Sequence, residues 1–205
     1  PDTRMNLDDY LAKFKAADVD GLVVNGDTAD DELDIESILG RLAGSGLPVY
    51  AIIGNQESRS TWNRALRSAH KAHRNILNLD LVRVVDAGPV GLVSLPGYYD
   101  KKYTHAMGSC VYTGKHAAEL PALAKTFTGT PIIVSHGPPK QQGKLALDFV
   151  PSAGNTGCVD LAAAIAEAKF PVGFFGHILE AGGRGTDLSG KKEIKPNTFV
   201  DGLYM

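Results

Sequence analysis

The chain has 205 residues, 43% of them hydrophobic and 21% charged, which is the usage of one globular domain over residues 1–205 and excludes a disordered, collagen-like or coiled-coil chain. Its 21 Lys and Arg against 23 Asp and Glu leave a formal charge of −2, so no global field draws it to nucleic acid or anionic lipid, and any function rests on a local site. Cys110 and Cys158 are the only cysteines, which excludes a disulfide scaffold and a cysteine zinc knuckle. They are expected as small buried thiols in a reducing, cytoplasmic compartment, with a single bridge between them as the alternative. No apolar run approaches a membrane span, and residues 1–20 hold no signal-peptide core, although a trimmed start at Pro1 could conceal a targeting segment.

In chain order, Leu7, Tyr10, Leu11 and Phe14 recur at helical spacing and lead into a short apolar run at 21–24. Ile35, Ile38, Leu39 and Leu42 predict a second helix before the run 49–53, and Trp62, Ala65, Leu66 and Ala69 a third. Residues 81–85 and 91–95 flank the turn-like Asp86-Ala87-Gly88-Pro89 and predict a hairpin, so a purely parallel sheet is not expected. Leu120, Leu123, Ala124 and Phe127 form one helical stripe before the run 131–134. Leu161, Ala164, Ile165 and Ala168 form another before 171–175. Segments 98–114 and 137–157 are expected as long loops of functional interest, and the weak alternation over 191–204 as edge strands. Helix and strand alternate, so the fold class is α/β.

Ligands of open α/β sheets lie beyond the carboxyl ends of the strands. The residues there are Asn25-Gly26-Asp27, Gly54-Asn55-Gln56-Glu57, Ser135-His136-Gly137 and Gly176-His177. A carboxylate, an amide oxygen and two imidazoles make an oxygen and nitrogen set suited to a divalent ion such as Mn, Fe or Zn. Singly, Asp27 and Asn55 could instead cap the helices that follow them, and each histidine could be a satisfied side chain under a loop.

With these residues in view, the sequence resembles the calcineurin-like metallophosphoesterases. Their motif series is D-x-H, G-D, G-N-H-[DE], [ST]-H-G and G-H-x-H. The corresponding stretches are Asp2-Thr3-Arg4, Gly26-Asp27, Gly54-Asn55-Gln56-Glu57, Ser135-His136-Gly137 and Gly176-His177-Ile178-Leu179. The resemblance implies a four-layer αββα sandwich of two mixed sheets flanked by helices, and a dinuclear centre that hydrolyses phosphoesters. It implies one intact metal site of Asp27, Asn55, His136 and His177. The other site would retain Asp2 and Asp27, but Arg4 and Leu179 stand where the family has histidines.

Gln56 occupies the position of the histidine that assists the leaving group, and glutamine cannot transfer a proton near neutral pH. Arg4 would set a fixed positive charge where the missing metal would sit. The expected protein therefore binds one divalent ion or none, and hydrolyses phosphoesters weakly or only on an unusual substrate. The alternative is an inactive pseudo-phosphoesterase that binds phosphate, a nucleotide or a protein partner. A phosphorylated small molecule or nucleotide is the expected ligand, with no membrane or nucleic-acid surface evident.

Only Pro1 precedes Asp2, and the chain stops at Met205 where a final strand of the family would continue, so terminal strands are expected to be missing or rebuilt. Gly185 to Lys192 nearly matches a phosphate-binding loop but has Lys192 where Ser or Thr must hold magnesium, and reads as a surface turn. His70 and His73 are expected on an exposed helix face. The loop residues Tyr98, Tyr99, Lys101, Lys102 and Tyr103 could reach an anion at the strand ends or be solvated.

Overall fold

A computed structural model describes residues 3–205, with side chains from Leu7 onward. The first half repeats helix and strand: α1 (Thr3–Ala16), β1 (Leu22–Asn25), α2 (Glu32–Ala43), β2 (Val49–Ile52), α3 (Arg59–Ala72) and β3 (Ile76–Asn78). β1, β2 and β3 pair in parallel in that order.

The second half opens with the antiparallel hairpin of β4 (Val84–Asp86) and β5 (Val90–Leu95). It continues through the short helices α4 (Gly114–Ala118) and α5 (Leu120–Leu123), β6 (Thr130–Ser135), the hairpin of β7 (Phe149–Val150) and β8 (Gly154–Asn155), and α6 (Val159–Ala168). β9 (Val172–Phe174), β10 (Gly185–Thr186), β11 (Glu193–Ile194) and β12 (Leu203–Tyr204) complete it. The second sheet has seven strands in the order β11-β10-β12-β9-β6-β5-β4. β5, β6, β9 and β12 run parallel, while β4 and β10 are antiparallel to their neighbours.

Period-two burial makes the layers. Val49, Ala51 and Ile53 enter a core with Ile38 and Leu39 of α2 and Trp62 of α3, whereas Tyr50 and Ile52 face the other sheet. On that other sheet Leu92 and Val134 meet Ile52 and Leu79, while Val93 and Ile133 turn away to pack on Leu161 and Ile165 of α6. The stack is thus helix, sheet, sheet, helix, and each large aliphatic side chain buried in it contributes about 1.5–3 kcal/mol. Ser94 Oγ donates to Leu79 O at 2.6 Å inside the intersheet layer, satisfying a hydroxyl that would otherwise be stranded between the sheets.

Several expectations are corrected. Only the seven-stranded sheet is mixed, because the first sheet is parallel throughout. The stripe 120–127 is not one helix: Pro121 suits the first turn of α5, which ends at Leu123, and the Phe127 ring lies against Gly91, where a Cβ would stand 2.0 Å from it. β11 is an edge strand as expected, but β12 is interior, between β10 and β9. Segment 98–114 includes a short 3-10 turn at Lys101–Tyr103, and segment 137–157 contains the β7–β8 hairpin. The Gly185–Lys192 stretch includes the turn between β10 and β11. His70 is exposed, but its ring bonds Ile76 O at 2.8 Å, and His73 is half-buried. Cys110 and Cys158 are buried free thiols. No helix among the described residues is long and apolar enough to cross a membrane.

Candidate metal centre

Neither Asp27 nor Asn55 is a helix cap. α2 is capped by Asp31, whose side chain accepts from Asp34 N at 2.8 Å, and α3 by Ser58, which accepts from Thr61 N at 3.1 Å. This leaves both residues to the turns beyond β1 and β2. The two turns lie against each other at close range. Gly26 has φ +81°, and a Cβ on it would stand 2.5 Å from Gly54 Cα; a Cβ on Gly54 would stand 2.2 Å from Asp27 Oδ1. Asp27 itself adopts φ 52°, a strained conformation for a residue with a side chain.

That strain is held by a carboxylate exchange between the turns. Asp27 Oδ1 accepts from Asn55 N at 2.9 Å and Gln56 N at 3.0 Å. Glu57, fully buried, accepts in return from Thr28 N at 2.5 Å, Gly54 N at 3.0 Å and Asp27 N at 3.2 Å. Burial pushes the Glu57 carboxyl above its usual range, opposed by the Thr28 amide.

The second sheet brings the imidazoles. His136 follows β6 and is buried; its Nδ1 lies 2.7 Å from Asn25 O, which can only accept, so Nδ1 carries the proton. Asn25 Nδ2 also donates to Ser135 O at 3.1 Å, tying the ends of β1 and β6 together. Asn55 Nδ2 donates to Tyr103 O at 2.6 Å, which turns Oδ1 toward the histidines. His136 Nε2 therefore faces two acceptors, Asn55 Oδ1 at 2.7 Å and Asp27 Oδ2 at 3.3 Å. His177, at φ 67° after β9, brings Nδ1 to 2.9 Å from the same Asn55 Oδ1. Its ring is covered by Tyr98, centroid to centroid 4.2 Å.

Lone-pair atoms this close need a proton or a cation among them. Ligand atoms of Asp27, His136 and His177 all lie within 4.8 Å of one another, and the three form a group able to hold a metal ion. The electrostatics agree. Burial works against charge on His136, but the Asp27 hydrogen bond and charge outweigh it and its pKa is raised. Asp27 is correspondingly held below the usual carboxylate range, against its own burial, by His136. Burial and then the charge of His136 push His177 down to about 4, so His177 is neutral and ligand-ready at pH 7.

The structure thus brings Asp27, Asn55, His136 and His177 together. Gln56 lies beside them with its side chain exposed, and its backbone N–H serves Asp27. Leu179 is 75% exposed at the start of a 3-10 turn, Leu179–Ala181. Asp2 and the side chain of Arg4 lie outside the described residues, and the Arg4 backbone belongs to α1. Sequence reasoning missed Asn25 and Glu57, which position the ligands, and gave Tyr98 no part in covering His177. The one signal for Glu57 was its place in the Gly54–Glu57 motif.

No family model and no curated protein matches the sequence. Among solved structures, one superposes with a TM-score of 0.73 at 15% identity, covering 99% of this chain and 85% of its own. The structure of TT1561 of Thermus thermophilus superposes with a TM-score of 0.67 at 13% identity, covering 99% of this chain and 83% of its own. At such identities the likeness establishes the fold: this chain is an α/β sandwich of the same architecture as TT1561.

Proposed function

We propose that the chain is a calcineurin-like metallophosphoesterase that holds one divalent cation, Mn, Fe or Zn, between Asp27, Asn55, His136 and His177, and hydrolyses phosphoesters slowly or only those with good leaving groups. The observation that carries this is the convergence of four donor atoms from the ends of β1, β2, β6 and β9, in the motif order of that family. Two oxygens and two imidazole nitrogens suit a borderline divalent ion. When bound, such an ion polarises a phosphoryl oxygen and lowers the pKa of bound water.

The chain's own residues do the rest. Asn25 fixes the His136 tautomer, the Asn55 and Gln56 amides hold Asp27 in place, and Glu57 keeps the paired turns rigid. Gln56 can steady a phosphate oxygen by hydrogen bonding but cannot supply a proton to a departing alkoxide. The ligand would be a phosphorylated small molecule or a nucleotide.

A second reading, a binding module without turnover, is favoured by one observation. Among the described residues only one group of three metal-binding side chains gathers, and of the three positions where the family has further histidines, which carry Arg4, Gln56 and Leu179, Gln56 and Leu179 are exposed. Metal analysis of the purified protein, together with turnover of p-nitrophenyl phosphate and bis(p-nitrophenyl) phosphate, separates the two. Roughly one equivalent of metal with turnover well below 1 per second supports the first reading, since ordinary enzymes run at about 1–10³ per second. Metal without turnover supports the second, and absence of metal binding overturns the first.

A further inference from the structure

The histidines of this chain divide by task. His136 and His177 belong to the metal group, His70 bonds Ile76 O, and His116 accepts from Thr113 N at 3.0 Å and closes the start of α4. His73 is half-buried against Gly40. His105 differs: its ring is exposed, and among the described residues none hydrogen-bonds it.

Its backbone, in contrast, is fixed at the centre. His105 N donates to Asn55 O at 3.0 Å, two residues after Tyr103 O accepts from Asn55 Nδ2 at 2.6 Å, so segment 103–105 grips Asn55 by both its main chain and its side chain. The segment is anchored on both sides. Thr104 N donates to Lys101 O at 3.2 Å before it, and after it Ser109 Oγ donates to Ala106 O at 2.6 Å and Arg59 N to Gly108 O at 3.1 Å. Further out, Tyr98 and residues 110–112 exchange main-chain bonds at 3.0 Å.

We propose that His105 contacts the bound phosphoester directly, donating a ring N–H to a phosphate oxygen at the solvent side of the centre and supplying the imidazole that is lacking at Gln56. The inference rests on the phosphoesterase reading and names the side chain that recognises the anionic phosphoryl group. A phosphate oxygen not taken by the cation still carries negative charge and is stabilised by a hydrogen-bond donor from the protein. Gln56 and His105 are both exposed, and their main-chain N–H groups bond Asp27 and Asn55, so each side chain starts from backbone fixed at the centre and can provide it.

The test is calorimetric binding of inorganic phosphate to the Mn²⁺-loaded protein, for the parent, His105→Ala and His105→Asn, with Mn²⁺ affinity measured separately for each. His105→Ala should weaken phosphate binding by about tenfold or more, the usual effect of losing a hydrogen bond to a charged group. Mn²⁺ affinity should stay within roughly twofold of the parent, the scatter expected of an exposed side chain that is not a ligand. His105→Asn, which keeps an N–H donor, should recover part of the loss. Unchanged phosphate affinity in His105→Ala overturns the proposal and leaves the metal centre standing. A parallel fall in Mn²⁺ affinity also overturns it, because His105 would then act only by holding Asn55. If the parent itself takes up no Mn²⁺, the phosphoesterase reading fails first and this contact falls with it.

Discussion

His136 Nδ1 and the carbonyl oxygen of Asn25 stand 2.7 Å apart although 111 residues separate them, and this one bond decides which nitrogen of the ring is offered to the centre. Nε2 is left to bind either a proton or a cation, so the two compete. The pKa of His136 is raised above 6.5, its burial being outweighed by Asp27, and the proton therefore wins progressively as pH falls through that elevated value. Mn²⁺ affinity should drop on acidification from a pH above 6.5. Titration calorimetry in two buffers of different ionisation enthalpy should register proton release, and its absence would contradict the assignment.

Asp27→Asn tests charge with little change of shape. The new amide oxygen can still accept from Asn55 and Gln56, so the turn should persist, while the cation loses its only carboxylate among the four ligands. Metal affinity should fall by about 10²-fold or more, as expected when an anionic ligand is replaced by a neutral one. In the metal-free parent, Asp27 is held below 3.8 against its burial by His136. Its contribution to stability is present above 3.8 and lost as pH falls through the lowered folded value, so urea melts of parent and variant should converge in acid and diverge at neutral pH.

Gly54→Ala should damage the centre through the backbone. The added methyl would stand 2.2 Å from Asp27 Oδ1 and 2.5 Å from Asp27 N, and neither neighbour is a flexible side-chain end free to move away. A loss of about 2 kcal/mol or more is expected in denaturant unfolding, together with weakened metal binding. A variant of parental stability would show that the paired turns can part without cost.

Asp80 gives a pH dependence of opposite sign. Burial raises its carboxyl to about 7, only partly offset by the Ile53 N–H, which donates to it at 3.0 Å. An acid with a raised folded pKa favours the fold while both states are protonated. Stability should therefore decline as pH rises from 3.8 toward 7 and level off above it. The total effect is a few kcal/mol at most, at roughly 1.4 kcal/mol per unit and less for a residue partly open to solvent. Asp80→Asn should flatten the curve between those limits, and an unaltered profile in unfolding measurements across that range would refute the role.

The ligand positions were legible because each sits one to three residues past an apolar strand, where a parallel strand must leave the sheet. Asp27, Asn55, His136 and His177 needed no long-range information to be singled out. Glu57 and Asn25 were not legible as positioning groups. Glu57 holds main-chain amides 29 and 30 residues away, and Asn25 holds His136 111 residues away through its own main-chain carbonyl, and main-chain groups leave no mark in a side-chain pattern. β3 escaped for another reason, since three residues are too few for periodicity, and β12 was expected as an edge strand because its interior place is imposed by the neighbours β9 and β10. The split of the 120–127 stripe was signalled by Pro121, which the apolar spacing masked.

The four proposed ligands divide evenly between the halves of the sandwich, with Asp27 and Asn55 following strands of the three-stranded sheet and His136 and His177 following strands of the seven-stranded one. Neither half alone offers more than a pair of these donors, so a cation held by all four acts as a rivet across the seam. Its closures span 81 and 122 residues, a separation that places them late in folding. Interactions made after the transition state slow escape from the native state without hastening arrival. Saturating metal, worth about 2.7 kcal/mol at a hundredfold excess over Kd, should therefore appear almost wholly as a longer native lifetime under denaturant or protease, with the refolding rate nearly unchanged.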